Sequence, residues 1–360
     1  MARPAVMVCV QIQASPSVTI HRSLCMTVLK HKDADVHIEQ LPNGKNKIDV
    51  AMHQDLFIPI KNCETAYPLD LIEKLLGIKG PSWLCDEIMR EESPDHVVQK
   101  SLHYDLLSFR APEEFKGKRL LDFGCGSGAS TMVLARMFPD TRIVGVELEE
   151  KLVSIAKMRA AHYGYQNLEL LLSPDPSSLP PSIGEFDYVV LSAVYEHLLP
   201  NEREPILHQL WNVLKPGGIL FLNQTPYIGF PIETHTTGGL PFINYLPDKL
   251  ACFYARHFSK RQLQDKSWKE LLRMGIRGGS VQEVVDILNR TPRSSILLKP
   301  VTRGLKDNID LWYRQSRTDN RFPLIKALVF YASKLVKMST GAIMVPYLSL
   351  AIMKDKSQNS

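Results

Sequence analysis

The stretch LLDFGCGSGAST, residues 120–131, determines the fold class that we predict for this chain. Its three glycines, Gly124, Gly126 and Gly128, lie between an apolar run containing Asp122 and a segment with helical spacing, ASTMVLARMF. Because glycine has no Cβ atom, such a run lets another group approach the backbone closely. The stretch therefore predicts a strand, a ligand-binding turn and a helix in succession.

The same alternation of strand and helix continues from residue 118 to about residue 226. Predicted strands are RLLDF, RIVGVE, LELLL, FDYVVLS and GILFLN, and predicted helices are STMVLARMF, EKLVSIAKMRAAHYG and EREPILHQLWNVL. Near-continuous apolar strands between amphipathic helices indicate a parallel sheet covered on both faces. We therefore predict an α/β, Rossmann-like fold with N-terminal and C-terminal additions.

The flanking regions have different patterns. Residues 1 to about 60 read as short strands with a hairpin at Asn43-Gly44, followed by helices in PLDLIEKLLGI and in SPDHVVQKSLHYDLLSF, the second capped by Ser93. After residue 226 we predict helices in SKRQLQDKSWKELLRM and SVQEVVDILNR and strands in SSILLKPV and PYLSLAIMK. We predict an appendage over 1–94, serving as a lid or dimerisation element, a ligand-binding core over 95–226 and a substrate-covering region with the closing strands over 227–360.

Composition limits the class of protein. The 360 residues carry a net charge of +5 with no basic block, which argues against a nucleic-acid partner. Six cysteines lie far apart without a CxxC pair, which indicates reduced thiols and a cytoplasmic protein without a zinc site. The N-terminal MARPAVMVCVQIQAS lacks the pattern of a signal peptide.

No stretch predicts a transmembrane segment. MSTGAIMVPYLSLAIM is apolar but shorter than a bilayer span and contains Gly341 and Pro346, so we interpret it as loop and core strand. LIKALVFYASKLVKM places Lys326, Lys334 and Lys337 beside an apolar face, a pattern typical of peripheral membrane contact.

The glycine run by itself fits two ligands. Gly124, Gly126 and Ala129 satisfy the dinucleotide pattern G-x-G-x-x-A, and Glu147, about 20 residues further on, suits the ribose hydroxyls of either ligand. The candidates are NAD and S-adenosylmethionine. Asp122 distinguishes them, because a carboxylate at the mouth of the site repels a pyrophosphate and attracts an ammonium group. Asp175, after the third strand, suits an adenine amino group; alternatively it is an acid of the turn PDPSS.

These features together resemble the class I S-adenosylmethionine-dependent methyltransferases, of the type 11/12-like domain. The residues that carry the resemblance are D-x-G-x-G-x-G from Asp122, the acid Glu147, Asp175, FDYVV…EHL and LKPGG, in the order and spacing of that family over roughly residues 95–226. The resemblance implies a seven-stranded, mostly parallel sheet whose last hairpin supplies an antiparallel strand. It also implies S-adenosylmethionine as cosubstrate.

The resemblance further implies roles for single residues. Gly124, Gly126 and Gly128 would give close backbone approach, and Asp122 would hold the amino group of the donor. In the same way, Glu147 would bind the ribose hydroxyls, Leu148 would pack on the adenine, Asp175 would accept from the adenine amine, and the segment from Ser192 to Tyr195 would floor the pocket near the methyl group.

Two histidines are candidate catalytic bases. His197 follows the fourth strand in YEHL, where the alternative is a packing role. His235 lies two residues after Glu233, so an extended segment would project both side chains to one face. Glu233 would then orient the imidazole, or the pair would ligate a metal, or the polar loop would satisfy its own backbone. We choose His235 as the base and predict no metal site.

The substrate side offers one further pattern. Arg273 and Arg277 precede Gly278-Gly279 and the helix cap Ser280, an arrangement that suits a carboxylate or phosphate on the acceptor, or alternatively a loop with solvated arginines. Asn223, Tyr227 and Tyr245 also lie along the segment that leaves the fifth strand.

We expect methylation, on oxygen, of a small-molecule, sugar or lipid-linked acceptor by in-line transfer. Two rival functions are a nicotinamide-dependent oxidoreductase and a non-catalytic partner protein that binds S-adenosylmethionine. The sequence does not indicate an oligomeric state.

Overall fold

The N-terminal region folds around an antiparallel sheet because its strands alternate apolar and polar residues between short polar turns. The computed structural model describes residues 6–8, 26–175, 178–315 and 323–357. Within them, the sheet consists of β1 Val6–Val8, β2 Met26–His31, β3 Ala34–Gln40, β4 Asn46–Met52 and β5 Asn62–Thr65, paired in that order. Gly44, with a φ of 81°, lies in the β3–β4 turn and confirms the predicted hairpin. Cys9, Cys25 and most of the stretch used to exclude a signal peptide lie outside the described residues.

Three helices follow this sheet, one more than we predicted. They are α1 Leu69–Lys79, α2 Pro81–Glu92 and α3 Val97–Leu107. Gly80, with a φ of 76°, ends α1, and Pro81 starts α2 at the position where a missing N–H is tolerated. Ser93 terminates α2 and does not cap α3, so that prediction is wrong. The Nδ1 atom of His96 instead accepts the Val98 N–H at 3.2 Å.

The chain divides into two compact units that interleave in sequence. The first contains residues 1–99, 126–133 and 150–165, and the second contains the remainder. Helix α4 Ala129–Met137 begins in the first unit and ends in the second, whereas α5 Glu150–Tyr163 belongs to the first. The predicted domain boundaries at residues 94 and 226 remain predictions.

The core of the first unit is apolar with one buried ion pair. Val36, Ile48, Leu71 and Ile155 are among its buried side chains. Arg159 of α5 is completely buried, and its Nη2 donates to the backbone oxygen of Glu87 at 3.1 Å and to the Oε1 of Glu87 at 3.3 Å. These contacts fix α5 within the first unit.

The second unit is built on the predicted parallel strands. They are β6 Arg119–Phe123, β7 Arg142–Glu147, β8 Leu168–Leu172, β9 Phe186–Ser192 and β10 Leu214–Pro226. All four pairings in the order β10-β9-β6-β7-β8 are parallel. The order reverses beside β6, and open α/β sheets bind ligands at such a point.

The region after β10 contains short elements that only partly match our predictions. They are β11 Ile232–Glu233, β12 Leu240–Pro241, α7 Asp248–Phe258, α8 Trp268–Arg273 and α9 Val281–Asn289, and α6 Pro200–Val213 precedes β10. We did not predict α7, and the helix predicted over 259–274 shortens to α8. Its start is set by Ser267 and Glu270, which form a capping box. Ser280 caps α9 as predicted.

Two C-terminal strands complete the mixed sheet. β13 Ser295–Leu297 pairs antiparallel with β14 Tyr347–Lys354, and β14 pairs antiparallel with β10. Among the described residues, the sheet has seven strands in the order β13-β14-β10-β9-β6-β7-β8, which confirms the Rossmann-like α/β fold. The predicted closing hairpin is wrong, because α10 Asn308–Gln315 and α11 Pro323–Thr340 lie between its two strands in the chain.

Candidate functional site

The carboxyl ends of β6, β7, β8 and β9 surround a cavity of about 320 Å³. Four predicted site residues, Gly124, Glu147, Leu148 and Asp175, line this cavity, and His197 lines it too. The strands end at one edge of the sheet because they run parallel, so the residues that follow each strand come together there. The structure thus brings together residues that are 149 positions apart in the chain, Gly124 and Arg273, which also lines the cavity.

The turn after β6 requires glycine at its first position. Gly124 has a φ of 72°, in the left-handed region that side chains disfavour. A Cβ atom at this position would lie 2.7 Å from the Cγ2 of Val194, which also lines the cavity. The N–H groups of Gly124 and Cys125 donate to the Val146 carbonyl at 2.8 and 3.0 Å. Asp122, one residue before the end of β6, is only 2% exposed.

The next two glycines of the run have different surroundings. Gly126 has a φ of 57°, and no heavy atom lies within 4 Å of a Cβ built there. Gly128 has a φ of 85°, and its Cβ would lie 2.7 Å from the Cβ of Ala156 in the same unit. Gly128 is therefore required by helix packing, whereas backbone conformation alone favours glycine at position 126.

Glu147 and Leu148 present two different kinds of surface at the end of β7. The Oε1 atom of Glu147 accepts the N–H groups of Leu148 and Glu149 at 2.8 and 3.0 Å, which fixes the orientation of the carboxylate. The side chain of Leu148 is 45% exposed although it is apolar. The cavity wall at this point combines an oriented acid with an uncovered apolar side chain.

The other two predicted positions differ in their relation to the cavity. Asp175 lines it, and its backbone oxygen accepts from the hydroxyl of Ser173 at 3.2 Å. Ser192 is the last residue of β9, but the wall formed by this segment consists of Ala193 and Val194. Ala193 has a φ of 55°, so the chain turns sharply after Ser192. The predicted floor of the pocket therefore begins one residue later.

His197 is held in place by the residue that ends α8. Its ring Nδ1 lies 2.7 Å from the backbone oxygen of Arg273, which only accepts, so Nδ1 carries a proton and donates it. The guanidinium of Arg273 donates back to the His197 oxygen at 3.1 Å and binds both carboxylate oxygens of Glu202. Partial burial lowers the pKa of His197, which favours the neutral imidazole.

Glu233 does not orient His235. Its two carboxylate oxygens accept the backbone N–H groups of Thr236 at 2.8 Å and Thr237 at 2.6 Å, and the side chain is buried. Of the three alternatives, the polar loop that satisfies its own backbone is correct. Burial, with smaller electrostatic effects of His197 and Arg261, lowers the pKa of His235 to about 4. A base of this strength removes protons only from acidic groups.

Glu196 is the functional candidate that we missed in the sequence. It lies beside His197 in the 3₁₀ turn Tyr195–His197 and has no exposed surface. Burial raises its pKa to about 8. Its carboxylate lies with the imidazoles of His197 and His235 in a cluster whose potential ligand atoms are all within 4.8 Å of one another. An acid directly before a histidine at a strand end was the available signal. The cluster has the composition of a metal site, and our expectation of no metal stays a prediction.

The predicted anion site is occupied by contacts within the protein. The guanidinium of Arg277 donates to the backbone oxygens of Ile243, Asn244 and Leu246 and to Asp248. The guanidinium of Arg273 is bound to Glu202. Both arginines therefore stabilise the loop around α8; Arg273 also lines the cavity, and an anion site on these residues stays a prediction.

The structure also describes two polar residues in and after the fifth parallel strand, the apolar character of the helices and four of the cysteines. Tyr245 donates its hydroxyl to the backbone oxygen of Gly229 at 2.7 Å, and Asn223 is buried in β10. Among the described helices, none is both long and apolar enough to cross a membrane. No disulfide joins the described cysteines, Cys63, Cys85, Cys125 and Cys252.

Residues 120–218 match a family model that describes a methyltransferase domain. The chain is 36% identical over 113 residues to a protein-L-isoaspartate O-methyltransferase of Rhodopseudomonas palustris, covering 31% of this chain and 47% of that protein. It is 27% identical over 192 residues to a demethylmenaquinone methyltransferase of Thermus thermophilus, covering 48% of this chain and 83% of that protein.

The solved structure of PKMT2 from Rickettsia typhi is 17% identical and has a TM-score of 0.42, covering 72% of this chain and 55% of that one. The chain spans about half the length of the first curated relatives that it matches, with 48%, 47% and 44% of their residues covered.

Proposed function

We propose, from the premise that residues 120–218 belong to the class I S-adenosylmethionine-dependent methyltransferases, that this chain methylates an oxygen atom of a small-molecule, sugar or lipid-linked acceptor. The cavity at the ends of β6 to β9 supports this function most directly. Gly124, Glu147, Leu148 and Asp175 line it together, although they come from three separate turns of the chain.

The residues present fit S-adenosylmethionine. Gly124 lies in the cavity wall, and we propose that Asp122, which is two residues earlier and buried behind this wall, holds the ammonium group. The oriented carboxylate of Glu147 would bind the ribose hydroxyls, and the uncovered side chain of Leu148 would pack on the adenine. We propose Asp175 for the adenine amine, and Ser192 as a supporting position of the same pocket.

The chemistry needs alignment more than a strong catalytic group. When bound, S-adenosylmethionine supplies a methyl group on a positively charged sulfur, which is a good leaving group. The protein must hold the acceptor oxygen in line and exclude water. His197 lines the cavity and lies 5.7 Å from His235 between ring centroids, so we place the acceptor hydroxyl on this side.

While no ion is bound beside them, these two imidazoles suit a neutral acceptor group. Burial keeps the pKa of each below its usual value. A neutral imidazole accepts a hydrogen bond from a hydroxyl but does not attract an anion. With Arg273 and Arg277 bound within the protein, a sugar or other hydroxyl compound fits better than an anionic one.

An apolar stripe on α11 supports a lipid-linked acceptor. The side chains of Leu324, Leu328, Tyr331, Leu335 and Met338 recur at helical spacing and are each between 67% and 84% exposed. The helix contains three lysines and no acidic residue, a composition that complements an anionic bilayer surface. Lys334 and Lys337 are anchored on Asp307 at its flank. We propose that α11 lies on a membrane surface. We place it on the cytoplasmic side, because reduced thiols are typical of cytoplasmic proteins.

Calorimetry tests the donor site. We expect the full chain to bind S-adenosylhomocysteine with a dissociation constant in the micromolar range and to show no binding of NADH. Leu148→Ala should weaken S-adenosylhomocysteine binding at least tenfold. Leu172→Ala is the matched control, because Leu172 has the same 45% exposure but is not part of the cavity wall. Binding of NADH instead would favour the oxidoreductase.

Methyl transfer tests the activity. The chain, radiolabelled S-adenosylmethionine and a cell extract should give a labelled product that chromatography separates by class. Donor binding without any labelled product would favour the non-catalytic partner protein, and labelled protein or nucleic acid would contradict the proposed acceptor.

A further inference from the structure

Glu196, His197 and His235 form a cluster next to the cavity. Glu196 and His197 come from the turn after β9, and His235 comes from the segment between β11 and β12. One carboxylate oxygen and one nitrogen of each imidazole lie within 4.8 Å of one another. His197 belongs both to the cluster and to the cavity wall, so the cluster adjoins the site for the acceptor.

The buried carboxylate of Glu196 has an unsatisfied oxygen. Its Oε2 accepts from the hydroxyl of Thr225 at 3.2 Å. In the part of the chain that the structure describes, Oε1 has no hydrogen-bond partner, although the residue is completely buried. Oε1 lies 3.8 Å from the Nε2 of His197 and so belongs to the cluster. A buried carboxylate oxygen without a partner is costly unless a cation or donor completes it.

The two histidines present the atoms that a cation requires. The Nδ1 of His197 donates to the Arg273 backbone oxygen, so the lone pair of the neutral ring is on Nε2, which faces Glu196. Such a hydrogen bond to a backbone oxygen is the usual support of a metal-ligating histidine. For the imidazole of His235, the described residues supply no hydrogen-bond partner; its near neighbours are the rings of His197 and Tyr347.

Gly275 leaves room for this arrangement. A Cβ atom there would lie 2.9 Å from the Cδ2 of His235 and 3.0 Å from the Cγ of Glu196. Its φ of 90° also favours glycine. The loop after α8 therefore approaches the cluster closely with a residue that has no side chain, and it simultaneously positions His197 through Arg273.

We propose that Glu196, His197 and His235 bind one divalent transition-metal ion. Two imidazoles and one carboxylate form the donor set of open zinc and non-haem iron sites, whereas magnesium and calcium prefer oxygen ligands. Metal–ligand bonds of about 2.0–2.2 Å require the three side chains to approach by about 1 Å. Three ligands leave positions open for a further group.

The role of this ion rests on the proposed function. An acceptor hydroxyl bound to the ion would become more acidic and would lose its proton to solvent. The oxygen lone pair then forms the C–O bond, the C–S bond breaks, and its electron pair stays on sulfur. The ion would thus take the place of a general base in this step.

Metal binding tests the proposal without donor or acceptor. The full chain, without an added histidine tag, is stripped with EDTA and titrated with Co²⁺ by visible absorption and with Zn²⁺ by calorimetry. We expect one equivalent of each to bind with a micromolar or tighter dissociation constant, and Mg²⁺ to bind at least 100-fold more weakly. Visible absorption of the Co²⁺ form should show coordination by fewer than six ligands.

Variants identify the ligands. His235→Ala and Glu196→Gln should each weaken Zn²⁺ binding at least 100-fold. The control is His257→Ala, which replaces an exposed histidine on α7 and should leave Zn²⁺ binding unchanged. If His235→Ala unfolds, His235→Asn is measured instead, with thermal unfolding as the check on folding. Absence of binding, equal binding by the cluster variants, or a preference for Mg²⁺ would overturn the proposal.

The proposed function and this site fail separately. Unchanged S-adenosylhomocysteine binding in metal-free protein that also takes up no Zn²⁺ would retain the donor site and reject the metal site. Stoichiometric Zn²⁺ binding without S-adenosylhomocysteine binding would retain the metal site and reject the methyl donor.

Discussion

Gly124 and Val194 lie so close that a Cβ atom on Gly124 would be 2.7 Å from the Cγ2 of Val194. Gly124 directly follows β6 and Val194 follows β9, so the contact joins two strand ends at the cavity. The first glycine of the run thus has a steric requirement in addition to its φ of 72°.

Gly124→Ala should therefore destabilise the protein more than Gly126→Ala. Each alanine costs about 1–2 kcal/mol for its left-handed backbone, but only at position 124 does it also collide with a neighbour. The free energy of unfolding in urea measures the difference. The double variant Gly124→Ala/Val194→Ala should regain the part of the free energy of unfolding that is lost through the collision with Val194. Equal losses for the two single variants would show that Val194 is not a barrier.

Arg277→Ala should lower the free energy of unfolding by about 2–4 kcal/mol without weakening the binding of S-adenosylhomocysteine. The substitution leaves the backbone oxygens of Ile243, Asn244 and Leu246 without the guanidinium that now donates to them. Arg290→Ala, which removes an exposed pair with Glu204, is the control and should cost less than about 1 kcal/mol. A stable Arg277→Ala protein with reduced acceptor affinity would restore our original expectation.

Asp105 should make the protein less stable as the pH rises from about 4 to 7. Burial raises its pKa to about 7 from an ordinary value of 3.8, so the folded state favours the protonated form. The stabilisation is fully present below pH 3.8 and is lost as the pH rises through 7, by about 4 kcal/mol in total. Asp105→Asn should remove this dependence while keeping an oxygen for the Gln224 amide.

Asp187 is the control with the opposite sign. Although partial burial opposes the shift, the Arg119 N–H and Lys215 together lower its pKa, so its contribution is present above pH 3.8 and disappears on acidification. Asp187→Asn should therefore reduce stability at pH 7 more than at pH 3. Urea unfolding at several pH values measures both variants. If the difference in free energy of unfolding between Asp105→Asn and the unchanged protein did not vary with pH, the buried, protonated state of Asp105 would be contradicted.

Helix α11 should bind anionic vesicles. We expect the chain to sediment with phosphatidylglycerol vesicles and less with phosphatidylcholine, because an apolar stripe and lysines act together at a charged interface. Leu328→Glu and Leu335→Glu should each reduce binding at least tenfold. Val301→Glu, at a residue that is 73% exposed elsewhere on the surface, should not. A concentration-dependent dimer that the same α11 variants abolish, without vesicle binding, would assign the stripe to a second copy.

The sequence by itself determined the parallel strands, the hairpin at Asn43-Gly44, the glycine turn and several of the positions that meet in the cavity. These features depend on local periodicity and on backbone conformation, which neighbouring residues largely set. The order of the strand ends then follows from parallel connections, so Glu147, Leu148 and Asp175 meet without further information.

Only the tertiary structure decided which side chains are partners. Glu233 lies two residues from His235 but binds the backbone of Thr236 and Thr237, whereas Glu196, 39 positions away, joins the His235 cluster. Arg277 likewise binds carbonyls more than 30 residues away along the chain. Partner choice depends on long-range packing and burial, which sequence spacing does not encode.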